Sequence, residues 1–259
     1  MGKSIAIITA RGGSKRIPGK NIRDFCGRPI LAYSIEAALA SKAFEEVMVS
    51  TDDMKIAAVA KAYGAGVPFL RTPEASDDYA TTADVLTEVL GQYQAMGREF
   101  QYGCCIYPTA PFVTAEKLRR AMGLLGDEVY SVIPVTEFSF PPMRGMRLEH
   151  GNLAYVFPEF CSMRSQDIPP MYHDCGQFYC FRVDKFLEAK TLMTAHTKAV
   201  VVPEMEVQDI DNEQDWKIAE MKYKYMHQHR GAGNALDETC VDGQVTDRQR
   251  HKMADKALE

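Results

Sequence analysis

Short apolar runs and amphipathic stretches alternate along the first half of this chain. The run Ile5-Ala6-Ile7-Ile8 predicts a buried strand. Residues 30–43 place Leu31, Ile35, Ala38 and Leu39 on one helical face. "EVMVS" at 46–50 predicts a second strand, stopped by "TDD", and residues 54–63 predict a helix that ends at Gly64. A third strand follows at 67–70, a long helix at 82–96 and a fourth strand at 102–107. Residues 114–125 predict a helix with Thr114 as N-cap and Glu116 in the first turn, where the helix dipole favours an acid. A fifth strand is predicted at 130–135. This rhythm predicts an α/β fold, a mostly parallel sheet covered by helices.

The rhythm breaks after Val135. Residues 137–170 carry prolines at 141, 142, 158, 169 and 170 and a His150-Gly151-Asn152 turn. Short runs between them, 153–157 among them, predict a hairpin, so this segment reads as an insertion. The pattern resumes with strands at 176–181 and 199–202 and helices at 184–190 and 213–227. The expected organisation is an α/β domain from 1–136 and 171–230, an insertion at 137–170, and a tail of unknown role at 231–259. That tail has weak periodicity except at 247–258.

Composition narrows the function classes. The 259 residues, 46% hydrophobic, suit one α/β domain with an insertion. A net charge of −5 gives no global field for nucleic acid or anionic lipid, so any polyanion site must be a local cluster. No apolar run approaches the length of a membrane span, and the N-terminus lacks a signal-peptide layout, so a cytoplasmic protein without membrane or nucleic-acid partners is expected. Seven cysteines without a CxxC pair suggest reduced thiols, and no metal-ligand Cys/His spacing occurs.

The first candidate site is "TARGGSKRIPGKNI", residues 9–22, directly after the first strand. Strand, glycine-rich turn and basic segment form the layout of an anion site, with Gly12 and Gly13 permitting close approach. The stretch fits neither GxGxxG nor GxxxxGK[ST]. The hydroxyls of Thr9 and Ser14 join Arg11, Lys15, Arg16 and Lys20, more charge than a dinucleotide pyrophosphate needs. A free triphosphate, with about four negative charges, suits Arg11, Lys15 and Lys20 together. A solvated basic loop is the plain alternative.

The second is "VQDIDNEQDW", residues 207–216. In an extended segment Asp209 and Asp211 share a face while Ile210 turns inward. Two adjacent carboxylates repel unless a cation relieves them, and Mg²⁺ with phosphate oxygens is the natural relief. Alternatively, Asp211 or Asn212 caps the following helix, and both readings can hold at once. Three further stretches have equally plain structural readings. "YPTAPF" at 107–112 lies at the carboxyl end of a strand, where open parallel sheets bind ligands, or forms a simple turn. "RTPEASDDYATTADVL" at 71–86 sets Arg71 and several hydroxyls before a helix, with Thr81 or Thr82 as a cap. "YHDCGQFYCF" at 172–181 pairs His173 with Asp174, without any nucleophile motif beside them.

Taken together, these segments resemble the CMP-sugar synthetases, or acylneuraminate cytidylyltransferases, over roughly residues 4–225. "ARGGSKRIPGKNI", "STDD" at 50–53, "RTPEASDDYATT", "PTAP" at 108–111 and "DIDNEQDW" stand in the family order. Tyr107 replaces the glutamine typical of the sialic acid enzymes. His173-Asp174-Cys175 replaces their arginine-proline-asparagine run. "RSQDIPPMYHDCGQFY" at 164–179 resembles the branch that activates pseudaminic acid for glycosylation of flagellins and other bacterial surface structures.

The resemblance implies a Rossmann-like nucleotidyltransferase fold and an insertion that serves as the arm of a homodimer. It implies CTP and a nine-carbon acidic sugar as substrates. Arg11, Lys15, Lys20 and Asn21 would hold the triphosphate, with backbone from Gly12 and Gly13. Arg71, Ala80 and Thr82 would shape the cytosine and ribose site, and Asp209 and Asp211 would bind Mg²⁺. Arg11, Lys20, Asp209 and Asp211 would carry the transfer. Tyr107, Arg164, Gln166, Asp167, His173, Asp174, Gln177 and Phe178 would line the sugar pocket. The implied reaction is attack of the anomeric hydroxyl on the α-phosphorus of CTP with loss of pyrophosphate. Rivals are the same chemistry on sialic, legionaminic or Kdo sugars, and a non-catalytic nucleotide-binding domain. A nicotinamide-dependent oxidoreductase is disfavoured by the missing GxGxxG.

Overall fold

The computed structural model describes residues 2–77 and 79–229. The tail at 231–259, its periodic stretch at 247–258 and Cys240 lie outside the described residues. The chain divides after Lys224, and the second unit contributes only residues 225–229, the end of the last helix, to the described part.

In chain order the elements are β1 (Ser4–Thr9), the two short strands β2 (Asp24–Phe25) and β3 (Arg28–Pro29), α1 (Ile30–Ser41), β4 (Glu46–Ser50), α2 (Met54–Ala62), the single turn α3 (Pro73–Ser76), α4 (Thr82–Ala95), β5 (Tyr102–Ile106), α5 (Ala115–Leu124) and β6 (Ser131–Glu137). Then come the hairpin β7 (Met146–Glu149) and β8 (Asn152–Tyr155), β9 (Tyr172–Asp174), β10 (Phe178–Arg182), α6 (Val183–Ala189), β11 (Thr197–Val201) and α7 (Glu213–His229).

One seven-stranded sheet runs β11-β6-β10-β5-β1-β4, with β9 also pairing β6. Strands β4, β1, β5, β6 and β11 are parallel, while β10 runs antiparallel between β5 and β6. Strand β1 lies inside the sheet, between β5 and β4, and is packed on both faces, which is why its run is continuously apolar rather than alternating. Ala6 and Ile8 meet Leu31, Ile35 and Leu118 on one side. Ile5 and Ile7 meet Leu86, Tyr93 and Phe186 on the other. Helix positions follow local chemistry. Asp53 caps α2 by accepting from the Lys55 and Ile56 amides, and Thr81 with Asp84 forms a capping box on α4.

Two expectations change. The strand expected at 67–70 does not form: Gly66 makes one bridge to Met48 at the edge of β4, and Pro68, without an N–H, ends the pairing. Residues 172–174, which the sequence leaves outside the strand at 176–181, pair with residues 135–137 of β6 as β9. The insertion holds a hairpin in which Glu149 pairs with Asn152 across His150 and Gly151. Both turn residues have positive φ, 50° and 84°, as a two-residue hairpin turn requires. The cysteines among the described residues are free thiols. Cys104 and Cys180 lie opposite one another on β5 and β10 with sulfurs 3.3 Å apart.

Helix α7 is docked by Trp216, which is 2% exposed. Its ring meets Phe25 edge-on at 5.6 Å, and the Arg23 guanidinium lies 4.6 Å over it. Arg23 also pairs with Glu213 at 2.5 Å. These contacts fix the start of α7, and with it the segment just before, against the turn that follows the first loop. Trp216→Ala should cost about 3–5 kcal/mol in denaturant unfolding, the usual range for removing a buried indole. A loss below about 1 kcal/mol would show that α7 is held elsewhere.

Candidate active site

A cavity of about 620 Å³ opens outside the carboxyl ends of β1 and β5. The chain crosses there from the β4 side of β1 to the β5 side, the place where open α/β sheets bind ligands. The loop after β1 forms one wall. Asn21, buried, donates from Nδ2 to the Arg11 carbonyl at 2.8 Å and closes the loop on itself. Gly19, at φ 63°, turns the chain into the short turn Lys20–Ile22. Arg11, Lys15, Arg16, Lys20, Asn21 and Arg71 all line the cavity.

Lys20 reaches farthest. Its Nζ donates to the carbonyl of Ile210 at 2.6 Å, 190 residues along the chain. Burial lowers its pKa from the ordinary lysine value, partly offset by Asp211 and Asp209. An ammonium partly stripped of water is a strong binding group for a polyanion. Burial likewise lowers the pKa of Arg71, with Asp52 and Glu88 opposing. Its guanidinium is held by the Ser50 hydroxyl at 3.1 Å and the Ser50 carbonyl at 2.8 Å, so its position is fixed before any ligand arrives.

The opposing acids are Asp209 and Asp211. Ile210 between them is fully buried, and both carboxylates line the cavity, the arrangement an extended segment dictates. The cap of α7 falls to Asn212, whose Oδ1 accepts from the Gln214 and Asp215 amides at 2.8 and 3.0 Å. Asp211 is thereby left out of the helix start and pairs instead with Arg16 at 2.9 Å.

The two glycines behave differently from the sequence expectation. Neither lines the cavity. The Gly12 amide donates to Asp52 Oδ1 at 2.8 Å, and a Cβ at Gly12 would stand 2.9 Å from that of Asp53. The bare backbone at Gly12 lets the loop approach the α2 cap closely. At Gly13 nothing lies within 4 Å of an added Cβ.

The far wall comes from the segment before α4 and the end of β5. Asp77 Oδ1 accepts from the amides of Tyr79 and Ala80, at 2.8 and 2.6 Å, which turns Ala80 to the cavity beside Thr82. The Thr82 hydroxyl lies 3.3 Å from the Tyr107 hydroxyl. Ser34 on α1 donates to the Tyr107 carbonyl at 2.8 Å, fixing the start of the proline-stiffened loop.

A second cavity, about 560 Å³, adjoins the first, and Tyr107 and Asp209 belong to both. His173 and Asp174 line it. The Tyr179 hydroxyl donates to Asp174 Oδ2 at 2.7 Å, and its ring meets Tyr107 at 5.4 Å between centroids. Burial, foremost among several causes, raises both tyrosine pKa values, keeping these hydroxyls protonated donors.

The remaining residues expected in a sugar pocket stand elsewhere. Phe178 is fully buried in the sheet core, facing away by strand alternation from Tyr179. Gln177 is buried and donates to the Glu206 carbonyl at 2.5 Å. Arg164, Gln166 and Asp167 sit exposed in the insertion, outside both cavity linings, with Arg164 paired to Asp167 at 2.8 Å. Sequence reasoning passed over Tyr179, Thr136 and Lys222, which line the second cavity. The signal for Tyr179 was its alternation with the apolar Phe178 and Cys180. Thr136 and Lys222 carry no local signal.

A family model described as cytidylyltransferase matches residues 5–141, the span that contains the first loop and β5. A pseudaminic acid cytidylyltransferase of Campylobacter jejuni is 40% identical over 228 residues, 87% of this chain and 98% of that protein, so the likeness extends well beyond the loop motifs. A CMP-N,N'-diacetyllegionaminic acid synthase of Legionella pneumophila is 35% identical over 224 residues, 83% of this chain and 94% of that protein. Among solved structures, a CMP:2-keto-3-deoxy-manno-octonic acid synthetase complexed with CTP superposes with a TM-score of 0.62, covering 87% of this chain and 99% of that one. At 17% identity this is a likeness of fold. With the motif order, the family match and the extent of these relatives together, the chain belongs to the cytidylyltransferase family.

Proposed function

We propose that this chain transfers CMP from CTP to pseudaminic acid, releasing pyrophosphate. The observation that carries the reading is the junction of two cavities at Tyr107 and Asp209. One is lined by five cationic side chains and the other by hydroxyls and acids. A triphosphate suits the first and a polyol the second, with the reacting atoms at the junction. The identity of the sugar draws support from the 40% identical Campylobacter enzyme.

In this reading the anomeric hydroxyl attacks the α-phosphorus in line, and pyrophosphate leaves toward the loop after β1. Arg11, Lys15 and Lys20 neutralise the triphosphate and hold the leaving pyrophosphate. Arg71, Ala80 and Thr82 bound the nucleoside, with Arg71 already fixed by Ser50. Tyr107 and Tyr179 position the sugar through hydroxyls that remain protonated. Both carboxylate oxygens of Asp174 are engaged, by the Tyr179 hydroxyl and the Gly176 amide, which suits it to orienting these groups.

The residues present fit a hard divalent cation. Asp209 and Asp211 offer oxygen donors on either side of one buried residue, in a cavity open to phosphate oxygens. They would hold Mg²⁺, which supplies charge neutralisation at the phosphates and acidifies a coordinated hydroxyl.

We read the insertion as the contact between two copies. Phe140, Met146, Leu148 and Leu153 are 52–70% exposed on it, an apolar surface that a second chain would cover. Since CTP is a cytoplasmic nucleotide, the reaction is placed in the cytoplasm.

Pyrophosphate release with CTP and a panel of pseudaminic, legionaminic, sialic and Kdo sugars tests the reading. Pseudaminic acid should give the highest kcat/KM, by about tenfold or more, the scale of one well-placed polar contact. A clear preference for another member would reassign the sugar, and no CTP-dependent release with any of them would remove the proposal. Separately, Asp211→Asn should lower kcat/KM on the order of 10²-fold in Mg²⁺. It should leave unfolding within about 1 kcal/mol of the parent, because the Arg16 pair is exposed. Near-normal turnover would exclude Asp211 as a metal ligand.

A further inference from the structure

Five cations line the first cavity. In the proposed reaction Arg11, Lys15 and Lys20 serve the triphosphate and Arg71 bounds the nucleoside. Arg16 has no part in it. Its Nη2 stands 2.9 Å from Asp211 Oδ1, and both residues line the cavity. One of the two carboxylates that fit a metal is thus matched by a positive charge of the chain's own.

This pair is built to be exchanged. The Arg16 side chain is 69% exposed and that of Asp211 41%, and an ion pair so open to water holds with little net free energy. Two other cations of the cavity are held by neutral groups, Lys20 by the Ile210 carbonyl and Arg71 by Ser50, so neither has to leave an acid when a ligand binds. The charges act on one another. Behind burial, the main cause of the lowered Lys20 pKa, Asp211 and Asp209 push that value up while Arg16 and Arg11 push it down. A guanidinium and a divalent cation on one carboxylate repel each other. A guanidinium that leaves Asp211 within this cavity meets the triphosphate, whose oxygens suit its planar fork.

We propose that Arg16 is an exchangeable counter-ion, which neutralises Asp211 until the nucleotide arrives and then passes to the phosphates, leaving the carboxylate to the metal. The inference rests on the reading of Asp211 as a metal ligand. Its consequence is a coupling between the two ligands. Arg16 competes with a divalent cation for Asp211 in the protein alone, and the phosphates remove that competition. Metal and CTP therefore tighten each other's binding by the same factor.

The test compares the parent, Arg16→Gln, Arg16→Lys and Asp211→Asn by binding alone, with no sugar present. Mn²⁺, standing in for Mg²⁺, is titrated against the protein by electron paramagnetic resonance. CTP is titrated by calorimetry in EDTA and in saturating Mg²⁺. Arg16→Gln should tighten Mn²⁺ about threefold, the scale of one exposed ion pair. It should weaken CTP about threefold in EDTA and about tenfold in Mg²⁺, as loss of a charge-assisted contact does. The gain in CTP affinity on adding Mg²⁺ is then about threefold smaller in the variant than in the parent. Arg16→Lys, which keeps the charge, should hold Mn²⁺ within about twofold of the parent and recover part of the CTP loss. Unchanged Mn²⁺ affinity in Arg16→Gln would overturn the proposal, and so would unchanged CTP affinity in Mg²⁺. An undiminished gain from Mg²⁺ would also overturn it, since a cation that merely repels the metal through space does so with or without CTP. Asp211→Asn should weaken Mn²⁺ by about tenfold or more. Parent-like Mn²⁺ binding in that variant would instead remove the metal reading and this inference with it.

Discussion

The bond from Lys20 Nζ to the Ile210 carbonyl is the constraint on which the site depends. It joins a loop near the start of the chain to a segment near its end. Neither segment has a use for the other's charge alone. The loop concentrates cations that would repel one another, and the segment concentrates two carboxylates that would do the same. Brought together around one half-buried amine, the two sets of charges offset one another and give the cavity a mixed field. Trp216 and Asn212 serve this contact from behind. One docks α7 on the Asp24–Pro29 turn, and the other caps it so that Asp211 remains available.

The sheet explains where the two cavities lie. The crossover at β1 opens a crevice, and the antiparallel β10 brings Tyr179 beside Tyr107 at its edge. The reversed strands β9 and β10 break the parallel order and bring the 172–179 stretch to the carboxyl ends of β6 and β5. A second cavity can then share a wall with the first. The two cavities share Tyr107 and Asp209.

Much of this was legible in the sequence because it is local. The continuous run of β1 announces a strand buried on both faces. The alternation of Asp209, Ile210 and Asp211 gives the shared face of the carboxylates, and the excess of cations over glycines in residues 9–22 points to a polyanion. What was not legible depends on tertiary neighbours. The missing Cβ at Gly12 makes room for Asp53, a neighbour that only the fold supplies. Residues 67–70 look like a strand until Pro68 has to donate at a sheet edge. Phe178 and Tyr179 are adjacent, and only the register of β10 decides that the first enters the core and the second the cavity. Lys222 has no motif at all; only the fold brings α7 past the 204–207 segment and sets this side chain on the second cavity.

The central claim is that the first loop and the 209–211 segment form a single CTP–metal site. A double-mutant cycle on CTP affinity in Mg²⁺, read by calorimetry with Lys20→Met, Asp211→Asn and the pair, tests it most directly. Each single substitution should weaken CTP about tenfold or more, and the double should fall well short of the product of the two. A double variant whose loss equals that product, or a single substitution that leaves CTP affinity unchanged, would contradict the account.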